Sequence, residues 1–197
     1  MLAMPAERAY VPNVTPLLIT AEDLLHTSIA DKHVELVRGV MVVREPPGYL
    51  HGDVTARIAT LLTNYADERG IGRVLAAETG FKLQSNPDTV RAADVAFLRR
   101  ERLPDPRPTG YPALAPDLVV EVLSPGDRPG ETFGKIGDWL EGGVRLVWVI
   151  DPDAESVAVY RPGKEPYLVN KGEELTGDEV LPDFRVVVDE FFKLPGQ

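Results

Sequence analysis

The sequence predicts a mixed α/β sheet in one domain, and three observations carry that prediction. Apolar, β-branched runs of strand length recur along the chain. Two segments between them switch to a helical period. The order is helix, strands, helix, strand, then hairpins. A length of 197 residues suits one domain with a sizeable core, and a hydrophobic content of 44% separates it from a disordered chain. The lack of cysteine removes disulfides, thiol catalysis and Cys-based zinc sites, and fits a reducing compartment. No uncharged stretch is long enough to span a bilayer, and the first residues lack the apolar centre of a signal peptide, so a cytoplasmic protein is expected.

Residues 1–18, with three prolines and little periodicity, read as an arm. Thr20 is the expected N-cap of a short helix reaching Leu25 to Ser28, with Glu22 and Asp23 in its first turn, where the helix dipole favours acids. Val34–Val37 and Val40–Val43, split by Arg38-Gly39, form a hairpin signal. Val54, Ile58, Leu61, Leu62 and Tyr65 then fall on one face of a helix over His51–Arg69, closed by Gly70. Three strands are expected at Arg73–Leu83 (broken at Gly80), Thr89–Leu98 and Leu118–Leu123. Between the last two, five prolines from Pro104 to Pro116 exclude helix and central strand and give a surface crossover. A second helix is expected over Glu131–Gly142, with Phe133, Ile136 and Leu140 on its buried side. Arg145–Ile150 suits a strand buried on both faces, and Val157–Tyr160 its antiparallel neighbour. The whole chain, 1–197, reads as one domain with a core over 51–151 and a β-rich extension over 152–197.

Against 31 acids the chain sets only 21 bases, a net charge of -10, which argues against a bulk nucleic-acid binder. The excess is uneven: residues 1–150 carry -4 and residues 151–197 carry -6, while residues 71–128 hold eight charges of each sign. A polyanionic substrate therefore stays open. Several chemistries are excluded. The nearest approach to a phosphate-cradling Walker loop, Pro129–Ile136, lacks its first glycine and its hydroxyl; no dinucleotide-binding glycine motif, serine-nucleophile elbow or His-Glu-x-x-His is present. Histidines at 26, 33 and 51 are too scattered for a histidine zinc site.

What remains is acid inside apolar strands: Asp94 in Ala92-Ala93-Asp94-Val95-Ala96-Phe97 and Glu121 in Leu118-Val119-Val120-Glu121-Val122-Leu123. A buried ionised carboxylate costs several kcal/mol unless it is paired or binds metal. Two such acids on adjacent strands suit a hard cation such as magnesium. The other reading has each facing solvent or pairing with Arg91 or Arg73. Lys135, on the helix after the Glu121 strand, either leans toward these acids or stays solvated beside Glu131. Trp139, one turn on, reads as core.

Ala93-Asp94-Val95-Ala96-Phe97, Val120-Glu121-Val122-Leu123-Ser124-Pro125, Lys135-x3-Trp139-Leu140-Glu141-Gly142-Gly143-Val144 and Trp148-Val149-Ile150-Asp151-Pro152 follow in that order. This set, spanning about Glu35 to Pro162, resembles the restriction-endonuclease family of small standalone proteins in the PD-(D/E)XK nuclease superfamily. The resemblance implies a restriction endonuclease-like mixed β-sheet flanked by helices, with extra β-hairpins at the N- and C-terminal ends. It implies that Asp94 and Glu121 bind Mg2+ or Mn2+, and that Lys135 assists water activation from the following helix. Ala93 stands where the family has proline, and Leu123 where the superfamily's lysine usually stands. Glu78 is a candidate further metal ligand, with an edge or turn role as the alternative. Glu35 and His51 resemble family positions near the cleft, His51 also suiting a capping or packing role, and Ser124 reads as a strand-end turn residue.

The implied function is metal-dependent hydrolysis of DNA phosphodiesters, with a homodimer expected by analogy so that two sites cut two strands. Two alternatives stand beside it. One is a nuclease-fold binding or regulatory module without turnover, which the net charge favours. The other is a metal hydrolase of a small phosphorylated substrate. Arg99, Arg100, Arg102 and Arg107 either line a groove for nucleic acid or decorate a solvated loop.

Overall fold

The computed structural model describes residues 17–194 and Gly196, so the expected arm lies, as far as residue 16, outside the described residues. The Thr20 hydroxyl accepts from the Asp23 N–H and the Asp23 carboxylate accepts from the Thr20 N–H, a capping box that starts α1 (Ala21–Leu25). That helix stops at His26, short of Ser28. β1 (His33–Val37) and β2 (Val40–Arg44) form the expected hairpin; Arg38 and Gly39 take the positive φ values, 48° and 77°, that its two-residue turn requires. α2 (Tyr49–Arg69) ends on Gly70 in the left-handed conformation.

β3 (Gly72–Gln84) and β4 (Thr89–Arg99) pair antiparallel along their length. Gly80 does not break β3. It stays in register with Ala92, and the Tyr111 ring lies 2.6 Å from where a Cβ would stand, so the glycine admits the proline-rich connection. The irregularity comes earlier. The register shifts between Ala76–Val95 and Thr79–Ala93, so Ala77 and Glu78 together oppose the single residue Asp94. Both bulge residues are left-handed, at φ 59° and 55°.

β5 (Leu118–Val122), α3 (Pro129–Glu141) and β6 (Leu146–Asp151) make a parallel crossover, and β7 (Ser156–Tyr160) and β8 (Tyr167–Asn170) extend the sheet antiparallel. The order is β2-β1-β4-β5-β6-β7-β8, with β3 on the other edge of β4. β9 (Glu174–Gly177) and β10 (Leu181–Val187) form a separate hairpin. Among the described residues no helix is long and apolar enough to cross a membrane.

The sheet is covered on both faces. Val95, Phe97, Val120 and Trp148 pack with Ile58 and Leu62 of α2 and with Phe184 of the last hairpin. Ala96, Val119 and Val147 face the other way, against Ile136 and Trp139 of α3. Phe133, expected in that interface, is instead 61% exposed, because α3 buries the side that carries Ile136, Asp138 and Trp139. Since β3 occupies one edge of β4, β1 and β5 share the other: β1 meets it at Val90 and β5 at residues 95–97. Residues 91–94 face the gap between them, and the site is built there.

Candidate active site

The antiparallel register that pairs Val95 with Val120 sets Asp94 opposite Glu121, so both side chains leave the sheet on the same face. Both are buried at 7% exposure. Asp94 Oδ2 accepts the Val122 N–H at 2.7 Å and lies 3.2 Å from His51 Nε2; Oδ1 takes part in no hydrogen bond among the described residues. Glu121 accepts with both oxygens, from Trp139 Nε1 at 2.7 Å and from Lys135 Nζ at 2.8 Å. Neither acid pairs with Arg91 or Arg73. Arg91 goes to Glu35 and Asp138, and Arg73 to Asp67.

Lys135 does not pair with Glu131, whose partners are Arg44 and Arg128. Its ammonium lies instead between Glu121 and Glu35 Oε1, the latter at 3.4 Å. Burial disfavours the charged lysine, but Glu121, Glu35 and Asp94 outweigh it and hold the ammonium above its ordinary pKa. Burial pushes the Glu121 carboxyl well above the usual range, with Lys135 opposing that rise and Asp94 adding to it. Glu35 is also buried, yet Lys135, Arg91 and the Ala92 N–H together hold it below its ordinary value.

His51 sits in the first turn of α2, where burial is outweighed by Asp94 and its pKa rises. Its Nδ1 is 3.4 Å from the Thr55 hydroxyl, one turn on. The bulge turns Glu78 toward the same cleft, where it pairs with His33; burial and the Asp94 charge raise its pKa, although His33 opposes this. All six residues named from the sequence line one cleft of about 920 Å³: Glu35, His51, Glu78, Asp94, Glu121 and Lys135. The arginine cluster does not line it. Arg99 donates to the Glu179 carbonyl and Arg102 pairs with Asp117, so these two fasten the proline-rich connection and the C-terminal region to the sheet.

Among the described residues no three His, Asp or Glu side chains are grouped closely enough to hold an ion by themselves. The donor chemistry nevertheless fits magnesium or manganese. Asp94 and Glu121 offer carboxylate oxygens from facing positions, Asp94 Oδ1 is uncommitted, and magnesium keeps several of its waters when one or two carboxylates bind it.

A sequence model of the family Uma2, described as "Putative restriction endonuclease", matches residues 21–189. The chain belongs to the Uma2 family. A solved structure described as "a putative nuclease belonging to DUF820 from Anabaena variabilis ATCC 29413" matches with a TM-score of 0.76, 21% identity, and coverage of 88% of this chain and 97% of that one. That likeness establishes the shared fold. No protein with a curated description matches the chain. The expectation of a restriction endonuclease-like mixed sheet with flanking helices and terminal hairpins is thus met, and Uma2 membership agrees with the resemblance carried by the ordered motifs.

Three residues beside the Uma2 cleft were not picked out by sequence as part of it. Trp139, read as core, is fully buried and also donates to Glu121. Asp138 and Arg91 are buried charges bonded to one another. The only local signal for them is a charge set in an apolar surrounding, Val90-Arg91-Ala92 and Asp138-Trp139-Leu140.

Proposed function

We propose that this Uma2 protein is a metal-dependent endonuclease that hydrolyses phosphodiester bonds of DNA in the cytoplasm. The observation that carries this reading is the facing pair Asp94 and Glu121 with the Lys135 ammonium 2.8 Å from the second acid, at the floor of an open cleft. Asp94 and Glu121 would hold Mg2+ or Mn2+, with Glu78 as a further oxygen donor on the cleft wall. An ion held there would supply Lewis-acid polarisation of the phosphate and a lowered pKa for its bound water. His51 and the Val122 N–H both engage Asp94 Oδ2, which leaves Oδ1 free for the cleft. Trp139 and Lys135 fix the other carboxylate through one oxygen each. Lys135 keeps its proton, so it acts as a fixed cation that orients the attacking water and stabilises charge on the pentavalent phosphate.

The experiment is plasmid nicking with Mg2+ or Mn2+, repeated for Asp94→Ala and Lys135→Ala. Loss of cleavage in both variants and on adding a chelator is the expected result. Cleavage by both variants unchanged from that of the unaltered chain would overturn the site. No cleavage of DNA, RNA or a phosphorylated small substrate with either metal would leave a binding module, which the net charge of -10 favours. A homodimer is proposed as the working form, because one cleft cuts one strand; sedimentation equilibrium of the full chain tests it.

A further inference from the structure

We propose that Arg91 is a positioning residue: with Glu35 and Asp138 it forms an ionic clamp that sets where the Lys135 ammonium stands in the cleft. The inference rests on the nuclease reading for its consequence, but its geometry is independent of it.

A lysine ammonium on a flexible four-carbon stem does not fix its own position. Two carboxylates on different strands locate this one, Glu121 on β5 and Glu35 on β1. Glu35 is itself held. Its Oε1 accepts the Ala92 N–H at 2.8 Å, taking the place of a strand partner in the gap on β4, and its Oε2 accepts from Arg91 Nη1 at 2.8 Å. The remaining arm of the guanidinium crosses to α3, where Nε and Nη2 donate to Asp138 Oδ2 at 2.8 and 2.6 Å. Asp138 is three residues beyond Lys135 on the same helix. One guanidinium therefore ties the strand that carries Asp94 to the helix that carries Lys135, and holds the carboxylate that the lysine also touches.

A purely stabilising role accounts poorly for this arrangement. Ile136 and Trp139 already supply apolar anchors for α3, and buried ion pairs commonly add no more stability than apolar side chains of similar size. A forked, directional contact does what an apolar anchor cannot: it fixes rotation. A slip of one residue would carry Lys135 about 100° around the helix axis and out of the cleft.

The test uses the full chain with Glu35→Gln, Arg91→Met and Arg91→Lys. Each protein is treated with a limiting acetylating reagent, and the modification of each lysine is read by mass spectrometry. Lys135 is expected to acetylate severalfold faster in Glu35→Gln and Arg91→Met than in the unaltered chain, with Arg91→Lys between them. Lys82, which pairs with Asp88 outside the clamp, is expected to stay unchanged and reports that the fold is intact. Unchanged Lys135 reactivity in both Glu35→Gln and Arg91→Met would overturn the clamp. Should Arg91→Met fail to fold, Arg91→Lys decides together with Glu35→Gln, unchanged Lys135 reactivity in both overturning the clamp. Where the unaltered chain nicks plasmid, Arg91→Lys is expected to lower kcat by about tenfold with KM little changed, the pattern of a misplaced group. A chain that cleaves nothing refutes the nuclease reading but leaves the lysine-reactivity result to stand or fall by itself.

Discussion

The two faces of the sheet bury comparable lengths of strand by different means. On the α2 face the buried contacts are mainly apolar, from Val95 and Phe97 through Trp148 to the hairpin residues Leu181 and Phe184. On the α3 face an apolar cluster around Trp139 gives way, toward one end, to the buried charges Glu35, Arg91, Asp94, Glu121 and Asp138, with Lys135 half-buried among them. The same two strands serve both. Residues 95, 97 and 120 of β4 and β5 point to one face, and 94, 96, 119 and 121 to the other. Stability is thus concentrated on the face away from the cleft, and the cleft face can hold groups whose burial is costly.

The largest expected effect separates activity from stability. Asp94→Asn should lower cleavage by about a thousandfold or more, roughly 4 kcal/mol of transition-state stabilisation, while thermal unfolding moves little. A large stability loss in that variant would break the division between faces. The converse substitution, Leu62→Ala on α2, removes a fully buried side chain far from the charged end and should cost about 2–5 kcal/mol in urea unfolding. Cleavage per folded molecule should stay unchanged.

A smaller effect is expected at the bulge that joins the two regions. Ala77 is left-handed, a conformation that costs an L-residue about 1–2 kcal/mol. Ala77→Gly relieves that strain but also loosens the unfolded chain, so it should stabilise by about 0.5–1 kcal/mol in the same urea series. Stabilisation together with slower cleavage would mean that the strained bulge sets the direction of Glu78.

The strands were legible because β-branched apolar runs have few other uses, and Asp94 and Glu121 stood out because a charge inside such a run needs an explanation. Lys135 was legible as one of two readings from its place on the helix after the Glu121 strand, and the resemblance favoured the one that brings it to the acids. The clamp was not legible, because its members at 35, 91 and 138 meet through strand pairing and carry no local spacing. The bulge was misplaced for a related reason. Gly80 offered the visible signal of a break, whereas the backbone bends at Ala77 and Glu78, residue types that seldom adopt positive φ.

The smallest expected effect concerns Phe133, which hydrophobic spacing assigned to the core. Spacing alone admits more than one rotation of α3, and a stripe through Phe133, Ile136 and Leu140 is one of them. The structure keeps Ile136 and Leu140 against the core but turns the helix further round, so that Arg91 draws Asp138 inward and Trp139 reaches Glu121. Phe133 is then carried round to solvent. Phe133→Ser should therefore change unfolding free energy by no more than about 0.5 kcal/mol, as exposed substitutions usually do. A loss of the size seen for buried aromatics, about 3–5 kcal/mol, would mean that α3 turns its apolar stripe inward in solution. Such a rotation would take Lys135 out of the cleft, so a stability measurement on a residue outside the charged cluster bears directly on the geometry of the site.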